Sequence, residues 1–207
     1  MIVAPEVEAY VYGLLPPSGP VLLEMEEQAR LRKIPIVGPA VARVFHLLAT
    51  LTGARRIFEL GSAIGYSTIW WADAVGPQGE VFYTDSSPAN CAEAAGYFLR
   101  AGVQKRVHVL EGEALNMLAR TSGDLDIIFC DLDKIQYPEA LRQAVPRLRS
   151  GGLLVADNVL WSGKVAAPPQ DPETAAILDF NRALYGDARL EPVILPLRDG
   201  VAVARKK

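Results

Sequence analysis

The spacing of hydrophobic residues along the chain changes near residue 55. Before that point, apolar residues recur every three or four positions, and clusters of proline and glycine separate the helical stretches. We predict one helix before Pro16, a second from Val21 to Lys33, and a third whose apolar positions run from Val41 to Leu51. Gly53 stands where a C-cap would end the third helix.

After residue 55, short apolar runs alternate with helical patterns. The runs predict strands at 56–60, 80–84, 106–110, 125–130 and 152–156, with helices between them at 66–75, 88–101, 113–120 and 137–148. A helix around 174–185 then precedes strands at 190–195 and 201–204, which the turn Arg198-Asp199-Gly200 joins as a hairpin. This alternation indicates an α/β fold: a mostly parallel sheet, helices on both faces and an antiparallel C-terminal hairpin.

Composition excludes several classes of function. The 207 residues carry 21 Lys and Arg against 24 Asp and Glu, and this net charge of -3 argues against a nucleic-acid partner. No apolar run approaches the roughly 20 residues of a membrane span, and no signal-peptide pattern opens the chain. Cys91 and Cys130 are isolated, which is typical of small buried residues in a reducing cytoplasm. We expect His46 and His108 in the core, and a single domain over 1–207 with 1–53 as its N-terminal helical segment.

Polar loops follow the first three predicted strands of the α/β region. Gly61 and Gly65 allow a tight turn onto which a ligand could bind, but the third glycine of the dinucleotide motif GxGxxG is missing. Asp85 ends the second strand, where an acid can accept hydrogen bonds from ribose hydroxyls, and Glu113 follows the third strand. Either acid could instead begin a helix. Together the loops favour a nucleoside ligand.

Asp131, Asp157 and Asn158 follow the next two strands. Adjacent parallel strands would bring them to one edge of the sheet, where two carboxylates and an amide oxygen suit Mg²⁺ or Ca²⁺. The alternative is that they are strand-end residues that cap the helices after them. A nicotinamide-dependent oxidoreductase and a catalytically silent nucleoside-binding module remain alternative functions, although neither explains the acids.

Several motifs in order resemble one known family. They are Glu59-x-Gly61-x-x-x-Gly65-Tyr66-Ser67, Asp131-x-Asp133-Lys134, Asp157-Asn158-Val159-Leu160-Trp161 and Pro196-x-x-Asp199-Gly200. The sequence resembles the cation-dependent O-methyltransferases related to catechol and caffeoyl-coenzyme A O-methyltransferases. The resemblance implies a Rossmann-like class I methyltransferase with a seven-stranded sheet, S-adenosylmethionine as cofactor, Mg²⁺ (or Mn²⁺ or Ca²⁺) and a homodimer. It also implies transfer of a methyl group to a hydroxyl of a small catechol-like or phenolic acceptor.

The resemblance further implies a role for each matching residue. The residues expected to bind the cofactor are Val37, Glu59, Gly61, Ser62, Ser67, Asp85, Glu113, Ala114 and Asp133. The metal ligands would be Asp131, Asp157 and Asn158, with Asp131 and Lys134 as catalytic residues beside the acceptor and Asp199 as a further acid on the substrate side. Leu132 and Arg198 depart from the family pattern on that side, so they bear on the acceptor's identity.

Overall fold

The computed structural model describes residues 3–207, so Met1 and Ile2 of the predicted segment 1–53 lie outside the described residues. The helices are α1 (Pro5–Gly13), α2 (Pro20–Arg32), α3 (Gly38–Thr52), α4 (Tyr66–Ala74), α5 (Pro88–Arg100), α6 (Ala114–Arg120), α7 (Tyr137–Arg147) and α8 (Pro172–Gly186). The strands are β1 (Arg56–Leu60), β2 (Glu80–Asp85), β3 (Val107–Glu111), β4 (Leu125–Cys130), β5 (Leu148–Ala156), β6 (Leu190–Leu195) and β7 (Val201–Lys206).

The strands form one seven-stranded sheet in the order β3-β2-β1-β4-β5-β7-β6. β1 to β5 are parallel to their neighbours, whereas β7 runs antiparallel to both β5 and β6. The predicted fold class is therefore confirmed, including the antiparallel C-terminal hairpin. Because the chain order reverses between β1 and β4, their carboxyl ends flank the crevice in which open α/β sheets bind ligands.

Both faces of the sheet are covered, since successive strand residues point to opposite sides. Ile57 packs on one face with the helices α3 to α5, and Phe58 packs on the other with α6 to α8. On the first face the rings of Phe45 and Trp71 stack with centroids 4.7 Å apart. Apolar strands buried on both sides hold the strand ends, and hence the loops after them, in fixed positions.

Two expectations need correction. β5 begins at Leu148 rather than at residue 152, because Gly151 and Gly152 lie inside the strand at an irregularity of its pairing with β4. A Cβ on Gly152 would lie only 2.9 Å from the carbonyl oxygen of Asp126, so this close approach requires glycine.

The sequence suggested that the two histidines lie in the core, but neither does. His108 lies on the edge strand β3 with half of its side chain exposed, and its ring contacts the Glu80 carboxylate at 2.9 Å. His46 is half-buried. The expectation for the cysteines is confirmed, because Cys91 and Cys130 are free and buried. Among residues 3–207, no helix combines the length and hydropathy that crossing a bilayer requires.

Candidate active site

A cavity of about 690 Å³ opens at the carboxyl ends of the central strands. The predicted site residues on its wall are Val37, Gly61, Ser62, Ser67, Asp85, Asp131, Asp133, Lys134, Asp157 and Asn158. Glu59, Glu113, Ala114 and Asp199 are not on the wall. The structure thus brings residues from five separate loops together around one space.

The turn after β1 needs glycine at both of the positions noted in the sequence. Gly61 has a φ of 81°, and a Cβ there would lie 2.6 Å from the carbonyl oxygen of Asp131. Gly65 has a φ of 83°, and its Cβ would collide with the ring of Phe98 at 2.6 Å. The N–H of Gly65 donates to the carbonyl of Ser62 at 2.8 Å, which closes the turn. Gly61, Ser62 and Ala63 of this turn line the cavity, so a ligand there can approach the backbone of the turn closely.

Glu59 lies behind this turn and is fully buried. The Thr68 hydroxyl donates to its Oε2, while its Oε1 has no hydrogen-bond partner. Burial raises the pKa of Glu59 to about 7, although the hydrogen bond from Thr68 and the nearby hydroxyls of Ser67 and Ser62 oppose the rise. A buried carboxylate oxygen without a partner is unfavourable unless a ligand supplies a donor.

Asp85 reaches the cavity from the end of β2. Its Oδ1 accepts the N–H of Ser87 at 2.8 Å and the side-chain amide of Asn90 at 3.1 Å, so the carboxylate is held in place. Glu113, by contrast, is exposed at the start of α6, and Ala114 is buried there. The structure does not place Glu113 and Ala114 on the cavity wall, because the loop after β3 lies farther out at the sheet edge.

Asp131 and Asp157 lie side by side because the backbone hydrogen bonds between neighbouring strands continue one residue beyond the ends of β4 and β5. The N–H of Asp131 donates to the carbonyl of Leu60 at 2.9 Å, and the N–H of Asp157 donates to that of Cys130 at 3.1 Å. Asp157 is only 2 % exposed, and burial together with the charge of Asp131 raises its pKa above the ordinary value of an aspartate. Asn158 follows with a left-handed φ of 59°, and its N–H donates to Asp157 Oδ1 at 2.8 Å.

Lys134 joins the same cluster through a buried ammonium group. Its Nζ donates to Asp131 Oδ1 at 3.1 Å and to the hydroxyl of Tyr137 at 2.8 Å. Tyr137 in turn donates to the carbonyl of Asp157 at 2.8 Å. Sequence reasoning missed Tyr137, although its spacing of three from Lys134 across the start of α7 was a usable signal.

Asp199 fixes a loop instead of facing the cavity. Its Oδ1 accepts the N–H of Ser162, and its carbonyl accepts the N–H of Leu160 at 2.9 Å. This loop carries Trp161, which does line the cavity. The predicted substrate-side role of Asp199 therefore has no support from its position.

No three His, Cys, Asp or Glu side chains within residues 3–207 form a group that could hold a metal ion. The predicted ligand set differs from such a group because one of its three members is the amide Asn158. Asp131, Asp157 and Asn158 nevertheless line the same cavity, and their side chains offer carboxylate and amide oxygens as ligands.

Residues 20–207 match the family model described as O-methyltransferase. The chain belongs to the O-methyltransferase family. A Mycobacterium marinum relative, whose name assigns it provisionally to the O-methyltransferases, is 32% identical over 171 residues, which cover 81% of this chain and 76% of the relative.

Solved structures of O-methyltransferases are similar over nearly the whole chain. The Bacillus cereus O-methyltransferase in complex with SAH superposes with a TM-score of 0.88 and 29% identity, covering 98% of this chain and 97% of that one. TomG of Streptomyces achromogenes, an O-methyltransferase of tomaymycin synthesis solved with SAM, has a TM-score of 0.89 and 28% identity, with 98% and 96% covered. The protein is thus an O-methyltransferase enzyme, and the oxidoreductase and silent-module alternatives are set aside.

Ile36 and Arg198 are among the residues of this O-methyltransferase that reach the cavity without having been predicted as site residues. Ile36 belongs to the loop between α2 and α3, and Arg198 belongs to the turn between β6 and β7. The Arg198 guanidinium donates from Nη1 to the carbonyl of Ile36 at 2.7 Å. A contact between residues 162 positions apart leaves no pattern in the sequence.

Proposed function

We propose that this O-methyltransferase moves the methyl group of S-adenosylmethionine to a hydroxyl of a small catechol-like or phenolic acceptor, assisted by a divalent cation. The observation that carries the proposal is the meeting of Asp131, Asp157, Asn158 and Lys134 in the same cavity as the glycine turn after β1. That arrangement puts a charged cluster suited to an acceptor beside a surface suited to a nucleoside.

The cofactor would occupy the side formed by β1 and β2. Backbone N–H groups of the turn beginning at Gly61 and the fixed carboxylate of Asp85 suit its polar groups, and the unpartnered Oε1 of Glu59 suits a cationic donor. Neighbouring O-methyltransferase structures that hold SAM or SAH support this choice of ligand.

The acid cluster fits a hard cation such as Mg²⁺. Asp131 and Asp157 are close enough for the charge of one to raise the pKa of the other, so a cation between them would relieve their repulsion. Asp131, Asp157 and Asn158 would hold it. When bound, the cation would supply a positive charge that makes an acceptor hydroxyl more acidic and fixes its orientation.

Lys134 and Tyr137 provide the rest of the chemistry. The acceptor oxygen forms a bond to the methyl carbon while the bond from that carbon to the sulfonium sulfur breaks, which leaves a neutral thioether. The hydroxyl proton passes to water, and the positive charge on Nζ of Lys134 stabilises the phenolate oxygen that remains. Tyr137 keeps Nζ beside Asp131, so the protein mainly contributes position and charge, because the sulfonium is already a good leaving group.

Replacing Asp157 with alanine tests whether cofactor binding and methyl transfer depend on different residues. We expect Asp157→Ala to abolish methyl transfer to catechol while S-adenosylhomocysteine still binds in calorimetry, because the proposed cofactor contacts come from the turn at Gly61 and from Asp85. Asp179→Ala is the matched control, since Asp179 is a 69 % exposed acid on α8. If a folded Asp157→Ala enzyme loses S-adenosylhomocysteine binding, the two ligand sites are wrongly assigned. If it keeps full activity, Asp157 is not needed for a cation.

We also propose that residues 1–207 act as one methyltransferase domain and assemble as a homodimer in the cytoplasm. The N-terminal segment is joined to the site, because the hydroxyl of Tyr66 donates to Glu26 of α2 at 2.6 Å. Helix α1 has no buried residue, and Tyr10 and Leu14 are 68 % and 65 % exposed. Such an apolar surface suits a contact with a second copy.

A further inference from the structure

Arg198 places a positive charge on the cavity wall in an unusual backbone conformation. Its φ of 53° lies in the left-handed region, where a side chain is disfavoured and glycine is not. The bond from Nη1 to the carbonyl of Ile36 fixes the direction of the side chain. A long charged side chain held in a conformation better suited to glycine suggests that its guanidinium serves a function.

The guanidinium has no carboxylate partner of its own. Within residues 3–207, its one hydrogen bond goes to Ile36, and no acid lies within 4.0 Å of it. Arg198 lines the same cavity as Asp131 and Asp157. A guanidinium on a cavity wall without a carboxylate partner can bind an anionic group of a ligand.

The hydroxyl of Tyr12 lies close to the Arg198 guanidinium. A Cβ on Gly38 would lie 3.6 Å from the Tyr12 hydroxyl and 3.8 Å from Arg198 Nη1, so the two groups flank one point. Tyr12 is half-buried and is not among the residues that line the cavity. Arg198 is therefore the donor on the cavity wall, and the Tyr12 hydroxyl lies next to it.

We propose that Arg198, with Tyr12 beside it, binds a carboxylate substituent of the methyl acceptor, so that the preferred acceptors are catechols that carry an acid group. This inference rests on the proposed function, because it assumes a catechol whose hydroxyls lie at the Asp131 and Asp157 end of the cavity. A guanidinium forms two parallel hydrogen bonds with a carboxylate, which orients the ring as well as holding it. Glu173 on the same wall provides the rival prediction, an acceptor with an ammonium group.

Three acceptors of similar size distinguish these ideas: 3,4-dihydroxybenzoate, its methyl ester and 3,4-dihydroxybenzylamine. We expect wild-type kcat/KM, measured with Mg²⁺ and saturating S-adenosylmethionine, to favour the acid over the ester by roughly tenfold to a hundredfold. Arg198→Gly, which also relieves the left-handed backbone, should bring the ratio close to one. Arg198→Lys should retain part of the preference, and Tyr12→Phe should lower it by a smaller factor.

Arg205→Gln is the matched control, because Arg205 is 54 % exposed and pairs with Glu191 outside the cavity. It should keep the wild-type ratio of acid to ester. An Arg198→Gly enzyme that loses activity equally on both acceptors would overturn the inference and make Arg198 a support for the loop at Ile36. A wild-type preference for the ester or the amine would also overturn it, while leaving the proposed function intact. If no catechol is methylated although S-adenosylmethionine binds, the proposed function fails as well.

Discussion

Replacing Glu59 with Gln should stabilise the ligand-free enzyme at alkaline pH while weakening its binding of cofactor. In the folded protein the pKa of Glu59 rises from 4.5 to about 7 because the group is fully buried. The folded state then holds a proton that the unfolded state releases, so the free energy of unfolding falls as pH rises from 4.5 to 7 and is constant above. This loss amounts to about 3 kcal/mol for the pKa difference given.

Urea unfolding of wild type and Glu59→Gln at pH 5 and pH 8 measures this effect. Gln keeps an acceptor for Thr68 but carries no charge, so the variant should gain roughly 2–3 kcal/mol relative to wild type between the two pH values. The raised pKa of Asp157 affects both proteins alike and cancels in the comparison. Glu191→Gln, a change at a 54 % exposed acid, should show no such gain.

The same variant should bind S-adenosylhomocysteine more weakly, because it lacks the carboxylate oxygen that a cationic donor would contact. Wild-type affinity should rise as pH increases through 7 and Glu59 ionises, whereas the affinity of the variant should show little of this dependence. Equal stability differences at pH 5 and pH 8, combined with unchanged affinity, would refute the reasoning and leave Glu59 with a purely structural role.

Two further predictions concern site residues, and a third concerns the oligomeric state. Asp85→Ala should weaken S-adenosylhomocysteine binding by roughly 1–3 kcal/mol in calorimetry, because ligand hydroxyls lose their acceptor; unchanged affinity would place the ribose elsewhere. Tyr137→Phe should lower kcat about tenfold or more with little change in the KM for S-adenosylmethionine, since only Lys134 loses its support; a change in that KM alone would contradict this. Light scattering should give twice the 22.4 kDa of one chain, and a stable 22.4 kDa particle at high concentration would exclude the homodimer.

The central strands could be predicted closely from the sequence because each is a short apolar run between turn residues. β1 and β4 begin and end where the pattern indicated, since both faces of these strands are buried. The same run pattern could not show that β3 is an edge strand, so His108 was wrongly expected in the core. Position in a sheet depends on strand order, which an isolated run does not encode.

The site was predictable to the extent that it follows from strand ends. Asp85, Asp131 and Asp157 reach one cavity because parallel strands end at the same edge. Side chains brought in by distant segments could not be found this way. Arg198 was noticed only as a departure from the family pattern, and its contact with Ile36 depends on how the N-terminal segment packs.

Transfer of a labelled methyl group from S-adenosylmethionine to catechol, with and without a chelator, tests the central claim most directly. The protein should methylate catechol in the presence of Mg²⁺, lose that activity in excess chelator and regain it when Mg²⁺ is restored, because the proposed role of Asp131, Asp157 and Asn158 is to hold a divalent cation. S-adenosylhomocysteine should still bind in the chelator. Full transfer without any free divalent cation would contradict the account.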